Sequence, residues 1–174
     1  IKHFPGDGQD ERDQHLLTSI NSMSAQDWRA TYGMVYKRLI DKGAKTVMVG
    51  HIAQPAMAEA IDPDSTFEQQ MLPASLSPLL VTGVLRNELG FNGLISTDAT
   101  PMIGFTTAMP RRQAVPAAIA AGCDVFLFNK NFDEDYEFML QGARDGVITQ
   151  ERLDDAVTRI LAPKASLGLH KKTL

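Results

Sequence analysis

Hydrophobic residues along this chain gather in short runs, separated by longer stretches in which they recur every three or four positions. Four runs read as buried strands: Ile1 to Phe4, Lys45 to Ile52 (KTVMVGHI), Gly93 to Ala99 (GLISTDA) and Asp124 to Lys130 (DVFLFNK). Their apolarity is continuous rather than alternating, as in a parallel sheet covered on both faces. Between them the period lengthens to that of a helix. Ser24 is placed to cap AQDWRATYGMVYKRLIDK, which Gly43 stops. Ser77 and Pro78 open LLVTGVLRNEL, which runs to Gly90. RRQAVPAAIAAG reads as a third helix, bent at Pro116 or begun there. FDEDYEFMLQGARDG is a fourth. Thr149 caps a fifth, in which Leu153, Ala156, Val157, Ile160 and Leu161 make an apolar stripe suited to docking.

Strand and helix alternate, so the fold class is α/β. Four such units fit a small open sheet or half of a (β/α)8 barrel, and the polar residues favour the second. His3, His51 and Asp98 each close a predicted strand. That is the end where barrel enzymes gather catalytic groups. A whole barrel takes about 250 residues, and the chain has 174. The expected architecture is the second half of a TIM-type (β/α)8 barrel, about strands 5 to 8. It would occupy residues 1–174, with the first half absent from this chain. The connection from His51 to Leu76 is expected to be polar and irregular, a loop facing the substrate.

Composition removes several classes. The chain is 44% apolar and 22% charged, which is ordinary for a globular domain. A net charge of −4 without a basic cluster argues against nucleic acid as partner. No apolar run reaches the ~18 residues of a membrane span. Cys123 is the single cysteine, so no intrachain disulfide forms and the compartment stays open. Gly6-x-Gly8 lacks the strand-to-helix context of a phosphate cradle.

The remaining polar residues carry candidate chemistry. Asp98, at a strand end, suits a nucleophile on a sugar, a metal ligand or a general base, and equally a turn aspartate. Asp13-Gln14-His15 can turn so that the carboxylate holds a ring nitrogen and makes the imidazole a proton shuttle. It also fits a solvated loop in which Asp10, Glu11, Arg12 and Asp13 are surface charge. Lys2 and His3 can donate to ligand hydroxyls or simply end a strand, and His51 is open to the same two readings. His3, His15, His51 and Asp98 together could also ligate a metal. Trp28, Tyr32 and Tyr36 read as packing, Asp133-Glu134-Asp135 as charge favoured by a helix start, and His170 as solvent-exposed.

The run KHFPGDGQDERDQH resembles the KHFPGHG…D-x-H signature of glycoside hydrolase family 3, in its bacterial β-N-acetylhexosaminidase (β-N-acetylglucosaminidase) branch. LLVTGVLRNELGFNGLISTDA, VPAAIAAGCDVFLF and RILAPKASLGL resemble later parts of the same domain, in order. The resemblance implies Asp98 as catalytic nucleophile, His15 as acid/base and Asp13 as its partner. It implies Lys2, His3 and His51 as sugar-binding residues, with no cofactor and no metal.

The implied function is a retaining hydrolase that removes β-linked N-acetylglucosamine from the non-reducing end of cell-wall or chitin-derived oligosaccharides. The alternatives within the family are a β-N-acetylglucosaminide phosphorylase and a β-glucosidase. Outside it they are a metal-dependent barrel hydrolase and a non-catalytic carbohydrate-binding barrel. The implied partners are a carbohydrate and the other half of the barrel, in a parent chain or a separate one, without which this chain is expected to be inactive. The expected location is the cytoplasm or the secreted, cell-wall space of a bacterium. Two letters depart from the signature: Asp7 stands where the family has a histidine, and STDATPM replaces the commoner SDD context.

Overall fold

The computed structural model describes residues 1–171. Strands β1 (Ser19–Ile20), β2 (Thr46–Val49), β3 (Ile52–Ala53) and β4 (Leu94–Thr97) form in two parallel pairs. β2 lies beside β4 with Val47 opposite Ile95 and Val49 opposite Thr97. Phe4 bridges Val49 on one side of this pair, and Val125 bridges Ser96 on the other, both in parallel. The sheet is therefore laid down in chain order, as successive βα units require.

The first and fourth expected strands contribute only these single bridges. After Phe4 the chain enters Pro5, which has no N–H for a ladder. At the other edge, the Leu127 N–H goes to the Thr97 hydroxyl at 2.9 Å, so a side chain takes the place of the next ladder partner. β1 and β3 make a separate two-residue pairing, Ser19 with Ile52 and Ile20 with Ala53, too short to show as a pattern in the sequence.

The helices follow their punctuation closely. Ser24 caps Ala25–Trp28 by accepting from the Asp27 N–H, and the same helix continues through a wider turn at Arg29–Gly33 into Met34–Asp41. Gly43 stops it with a φ of 88°. Leu79–Glu88 is wide-turned throughout and ends at Gly90. Arg111–Ala121 neither begins nor ends at Pro116, which lies buried inside it. Asn131 caps Phe132–Arg144, and Thr149 caps Gln150–Ser166.

Burial explains where these helices sit. Phe4, Val47, Val49 and Ile95 pack against Trp28, Tyr36, Met57, Leu80, Val84 and Leu85 in one core. Phe4 meets the rings of Trp28 and Tyr36 edge-on, at 6.0 and 5.3 Å between centroids. A second cluster joins Leu76, Phe105, Ala114 and Ala118.

Two expectations about segments are corrected. The connection between His51 and Leu76 is not an irregular loop: it holds short helices at Pro55–Ile61, Phe67–Gln70 and Ala74–Leu76. Met57, Ala58 and Ala74 are buried in the main core, so the segment packs as well as connects. The last helix docks through Ala156, whereas Leu153, Val157 and Leu161 keep 40%, 43% and 56% of their surface exposed.

A buried ion cluster ties the last helix to β4. Asp124 accepts from Arg86 Nη2 at 2.6 Å, from Arg152 Nη2, and from the Ile95 N–H at 2.9 Å. Asp135, expected as helix-start charge, is also buried and takes both Arg111 Nε and Nη2, at 2.7 and 2.5 Å.

Candidate active site

Lys2, His3, Asp7, Arg12, Asp13, Gln14, His15 and Asp98 line one open pocket of about 270 Å³. It lies where Phe4 and β4 end, so these side chains gather at the strand-end face of the sheet. Two different supports deliver its groups. Asp98 follows β4 directly: its N–H donates to the Val49 carbonyl at 2.9 Å, and its Oδ1 accepts the Ala99 N–H at 2.7 Å. His15 and Asp13 ride on a loop, with side chains 69% and 58% exposed.

That loop is held by residues whose roles the sequence left bland. The Trp28 indole N–H donates to the Pro5 carbonyl at 2.7 Å, and the Tyr32 hydroxyl to the Asp7 carbonyl at 2.8 Å. Gly6 has a φ of 131°, and a Cβ there would lie 2.3 Å from the Tyr32 ring. Further on, Asp10 and Arg12 are not free surface charge. Asp10 accepts from Arg12 Nε at 2.8 Å and from the Ile20 N–H at 2.7 Å, fastening the loop to β1. The Arg12 side chain is the main cause that holds the Asp10 carboxyl well below the usual range.

Within the loop, Asp13 Oδ1 accepts both the backbone N–H of His15, at 2.9 Å, and a contact with its Nδ1 at 2.6 Å. The backbone bond and then the ring bond lower the Asp13 pKa. An ionised carboxylate on Nδ1 fixes the proton there and leaves Nε2 for other work. His3 stands between carboxylates, with Nε2 3.7 Å from Asp98 Oδ2 and Nδ1 3.5 Å from Asp7 Oδ2. Lys2 is exposed beside it on the pocket wall.

The structure brings Lys2, His3, Asp13, His15 and Asp98 to one pocket but leaves His51 behind its wall. His51 is fully buried, and both ring nitrogens are engaged: Nδ1 with the Ser75 hydroxyl at 2.8 Å, Nε2 with the Ala99 carbonyl at 3.0 Å. A carbonyl only accepts, so Nε2 carries the proton and Nδ1 accepts from Ser75. Burial lowers the His51 pKa and keeps the ring neutral. No nitrogen is free for a sugar. Nor do the histidines converge as ligands: no group of three or more His, Cys, Asp or Glu side chains able to hold a metal occurs among the described residues.

Gln14 is the pocket residue that motif reading passed over, and Asp7, marked there only as a departure from the signature, is its partner. Gln14 is buried between its exposed neighbours, its Oε1 accepting the His51 N–H at 3.0 Å and its Nε2 donating to Asp7 Oδ2 at 3.1 Å. A polar residue flanked by two exposed ones carries no hydrophobic signal, which is why periodicity does not find it.

Residues 1–162 match the Glycosyl hydrolase family 3 N terminal domain. A β-N-acetylglucosaminidase/β-glucosidase of Cellulomonas fimi is 58% identical over 172 residues, 99% of this chain and 30% of that protein. A β-hexosaminidase of Chromobacterium violaceum is 35% identical over 126 residues, 72% of this chain and 32% of that protein. Among solved structures, the β-glucoside phosphorylase BglX bound to 2FGlc superposes with a TM-score of 0.97 at 48% identity, covering 100% of this chain and 31% of that one. A glycoside hydrolase family 3 β-N-acetylglucosaminidase from Paenibacillus sp. str. FPU-7 gives 0.85 at 27% identity, covering 99% and 32%. The chain thus spans about a third of the length of these relatives.

Proposed function

This chain belongs to glycosyl hydrolase family 3, with the TIM-barrel-like α/β fold of its N-terminal domain, and from that footing we propose that it carries the reacting groups of a retaining β-glycosidase. Asp98 is the nucleophile, His15 the acid/base, and Asp13 the residue that orients His15. One observation carries the reading: a loop imidazole bound to a carboxylate at 2.6 Å shares a pocket with a carboxylate fixed at a strand end. The two groups need different supports, because one must hold the anomeric carbon's attack line and the other must move a proton twice.

In the first step Asp98 attacks the anomeric carbon as its bond to the leaving oxygen breaks. His15 gives its Nε2 proton to that oxygen, and an alcohol departs from a glycosyl-Asp98 ester. In the second, neutral His15 takes a proton from water, whose oxygen displaces Asp98 with net retention. Lys2 and His3 grip the sugar hydroxyls. The substrates are β-N-acetylglucosaminides and β-glucosides, following the relative at 58% identity whose name carries both activities. These residues act as the second half of a barrel, so turnover needs the other half.

Phosphate in place of water is a second reading. It is favoured by the relative at 48% identity named a β-glucoside phosphorylase. A neutral histidine as base also repels a phosphate less than a carboxylate would. The test is product analysis on the full-length protein, with aryl β-N-acetylglucosaminide and β-glucoside, with and without phosphate. A product of retained anomeric configuration, lost by more than about a thousand-fold in Asp98→Ala, is expected. An inverted product, or an Asp98→Ala variant of unchanged rate, overturns the reading.

A further inference from the structure

Asp13-Gln14-His15 places one buried side chain between two exposed ones. Gln14 is 5% exposed, whereas the side chains of Asp13 and His15 are 58% and 69% exposed. The slot that receives Gln14 is lined by glycines. A Cβ on Gly50 would lie 3.2 Å from Gln14 Oε1, and a Cβ on Gly104 would lie 2.9 Å from the Gln14 carbonyl oxygen. The backbone is docked there as well: the Gly104 N–H donates to the Gln14 carbonyl and the Ile103 N–H to the His15 carbonyl, each at 3.2 Å.

Inside the slot the amide has both ends occupied. Oε1 accepts the His51 N–H at 3.0 Å, and Nε2 donates to Asp7 Oδ2 at 3.1 Å. His51 belongs to the rigid wall under the nucleophile, since its Nε2 holds the Ala99 carbonyl and the Ala99 N–H holds Asp98. Asp7 faces His3, which faces Asp98. Gln14 is therefore tied on both ends to groups that reach Asp98, while its chain neighbours carry the proton.

We propose that Gln14 is the latch of the acid/base arm: clamped between the His51 N–H and the Asp7 carboxylate, it fixes where Asp13 and His15 stand relative to Asp98. It is a positioning residue, and the inference rests on the acid/base reading of His15. It also gives Asp7, the letter that departs from the family signature, a task. A carboxylate at that position supplies the acceptor that the Gln14 amide donor needs.

The test compares kcat/KM for glycosides of one sugar with a good leaving group, 2,4-dinitrophenol, and a poor one, benzyl alcohol, on the full-length protein. The good leaving group departs almost without a proton, so only the poor one reads the acid. A positioned general acid contributes roughly 10²–10⁴-fold. His15→Ala is therefore expected to lose at least about 100-fold more on the benzyl than on the dinitrophenyl glycoside. Gln14→Ala is expected to show the same selectivity, about 10-fold or more. A folding defect alone would lower both substrates equally.

Gln14→Glu removes the donor to Asp7 and sets two carboxylates together. Adding Asp7→Asn restores an amide–carboxylate pair with its partners exchanged, and is expected to recover at least about 10-fold on the benzyl glycoside. This pair decides the matter if Gln14→Ala does not fold. Equal losses on both glycosides, no loss, or no recovery in the double variant overturns the latch. Selectivity in His15→Ala without any in Gln14→Ala overturns the latch alone. Its absence in His15→Ala overturns the acid/base reading and the latch together.

Discussion

Replacing His51 separates a sugar-binding histidine from one that holds the support of Asp98. In His51→Ala the buried Ser75 hydroxyl and the partly buried Ala99 carbonyl, bonded at 2.8 and 3.0 Å, lose their partners. Each unpaired buried group costs about 1–3 kcal/mol. The ring also packs against Phe105 with centroids 5.2 Å apart, so a cavity opens and adds to the cost. A loss of about 3–6 kcal/mol in stability is expected. His51→Gln can place an amide N–H on the Ala99 carbonyl and should recover more than half of that.

Activity should follow the same order. Ala99 is gripped through both of its flanking peptide groups, its carbonyl by His51 and its N–H by Asp98 Oδ1 at 2.7 Å. Releasing the carbonyl lets the N–H and the Asp98 carboxylate drift, and a displacement near 1 Å of a reacting group costs about 10²-fold. The expected signature is a fall in kcat for His51→Ala, a smaller one for His51→Gln, and little change in KM. Thermal melts and steady-state kinetics on the full-length protein measure both. A His51→Gln variant with a wild-type melt and a KM raised about ten-fold would mean that the ring touches the sugar, and would falsify the positioning role.

The pH dependence adds a second readout. Burial sets the folded pKa of His51 below its unfolded value of about 6.5. The folded state therefore binds fewer protons. The histidine's contribution is whole above the unfolded pKa and is lost as pH falls from there toward the folded value. The His51→Gln variant should lack that component and show a flatter stability profile on the acid side of neutrality.

Other substitutions test the scaffold. Asp124→Asn leaves Arg86 and Arg152 facing each other without their buried carboxylate. It should lower stability by about 3–5 kcal/mol, read as a shifted denaturant midpoint. Trp28→Phe removes the indole donor from the buried Pro5 carbonyl. A loss of about 1–3 kcal/mol is expected, with a larger fractional fall in activity on poor leaving groups than on good ones. Asp10→Asn removes a carboxyl whose pKa is held low chiefly by Arg12. Its contribution is present above the unfolded carboxylate range and is lost as pH falls, so the variant and wild type should converge in acid melts.

The strands and helices that read clearly in the sequence are those closed by local contacts. Ser24, Asn131 and Thr149 cap within three residues, and Gly43 and Gly90 turn the chain where their φ allows. The β2–β4 pair was legible from its apolar runs, although burial alternates along both strands: Val47, Val49, Ile95 and Thr97 are buried and the residues between them less so. The misread parts depend on distant partners. Val125 makes one bridge because Thr97, near in space but 30 residues from Leu127, offers its hydroxyl to the next N–H. Pro116 does not start its helix because the packing of Ala114, Val115 and Ala118 carries the helix across it.

The same distinction divides the site. Groups that face the pocket stand out in sequence as candidates, since a carboxylate or histidine at the end of an apolar run is placed for chemistry even where a turn or strand-end role is equally open to it. Groups that hold them do not. Gln14 meets His51 across 37 positions, and His51 meets the Ala99 carbonyl across 48. Neither separation leaves a spacing for a motif to show. His51 and Asp98 follow strands in the same way, yet one is fully buried with both nitrogens bonded and the other has a carboxylate in the pocket. What separates them is the short helix at Ala74–Leu76, which brings Ser75 to the imidazole and takes its free nitrogen. A histidine at a strand end thus becomes a support rather than a ligand wherever the next connection folds back over it.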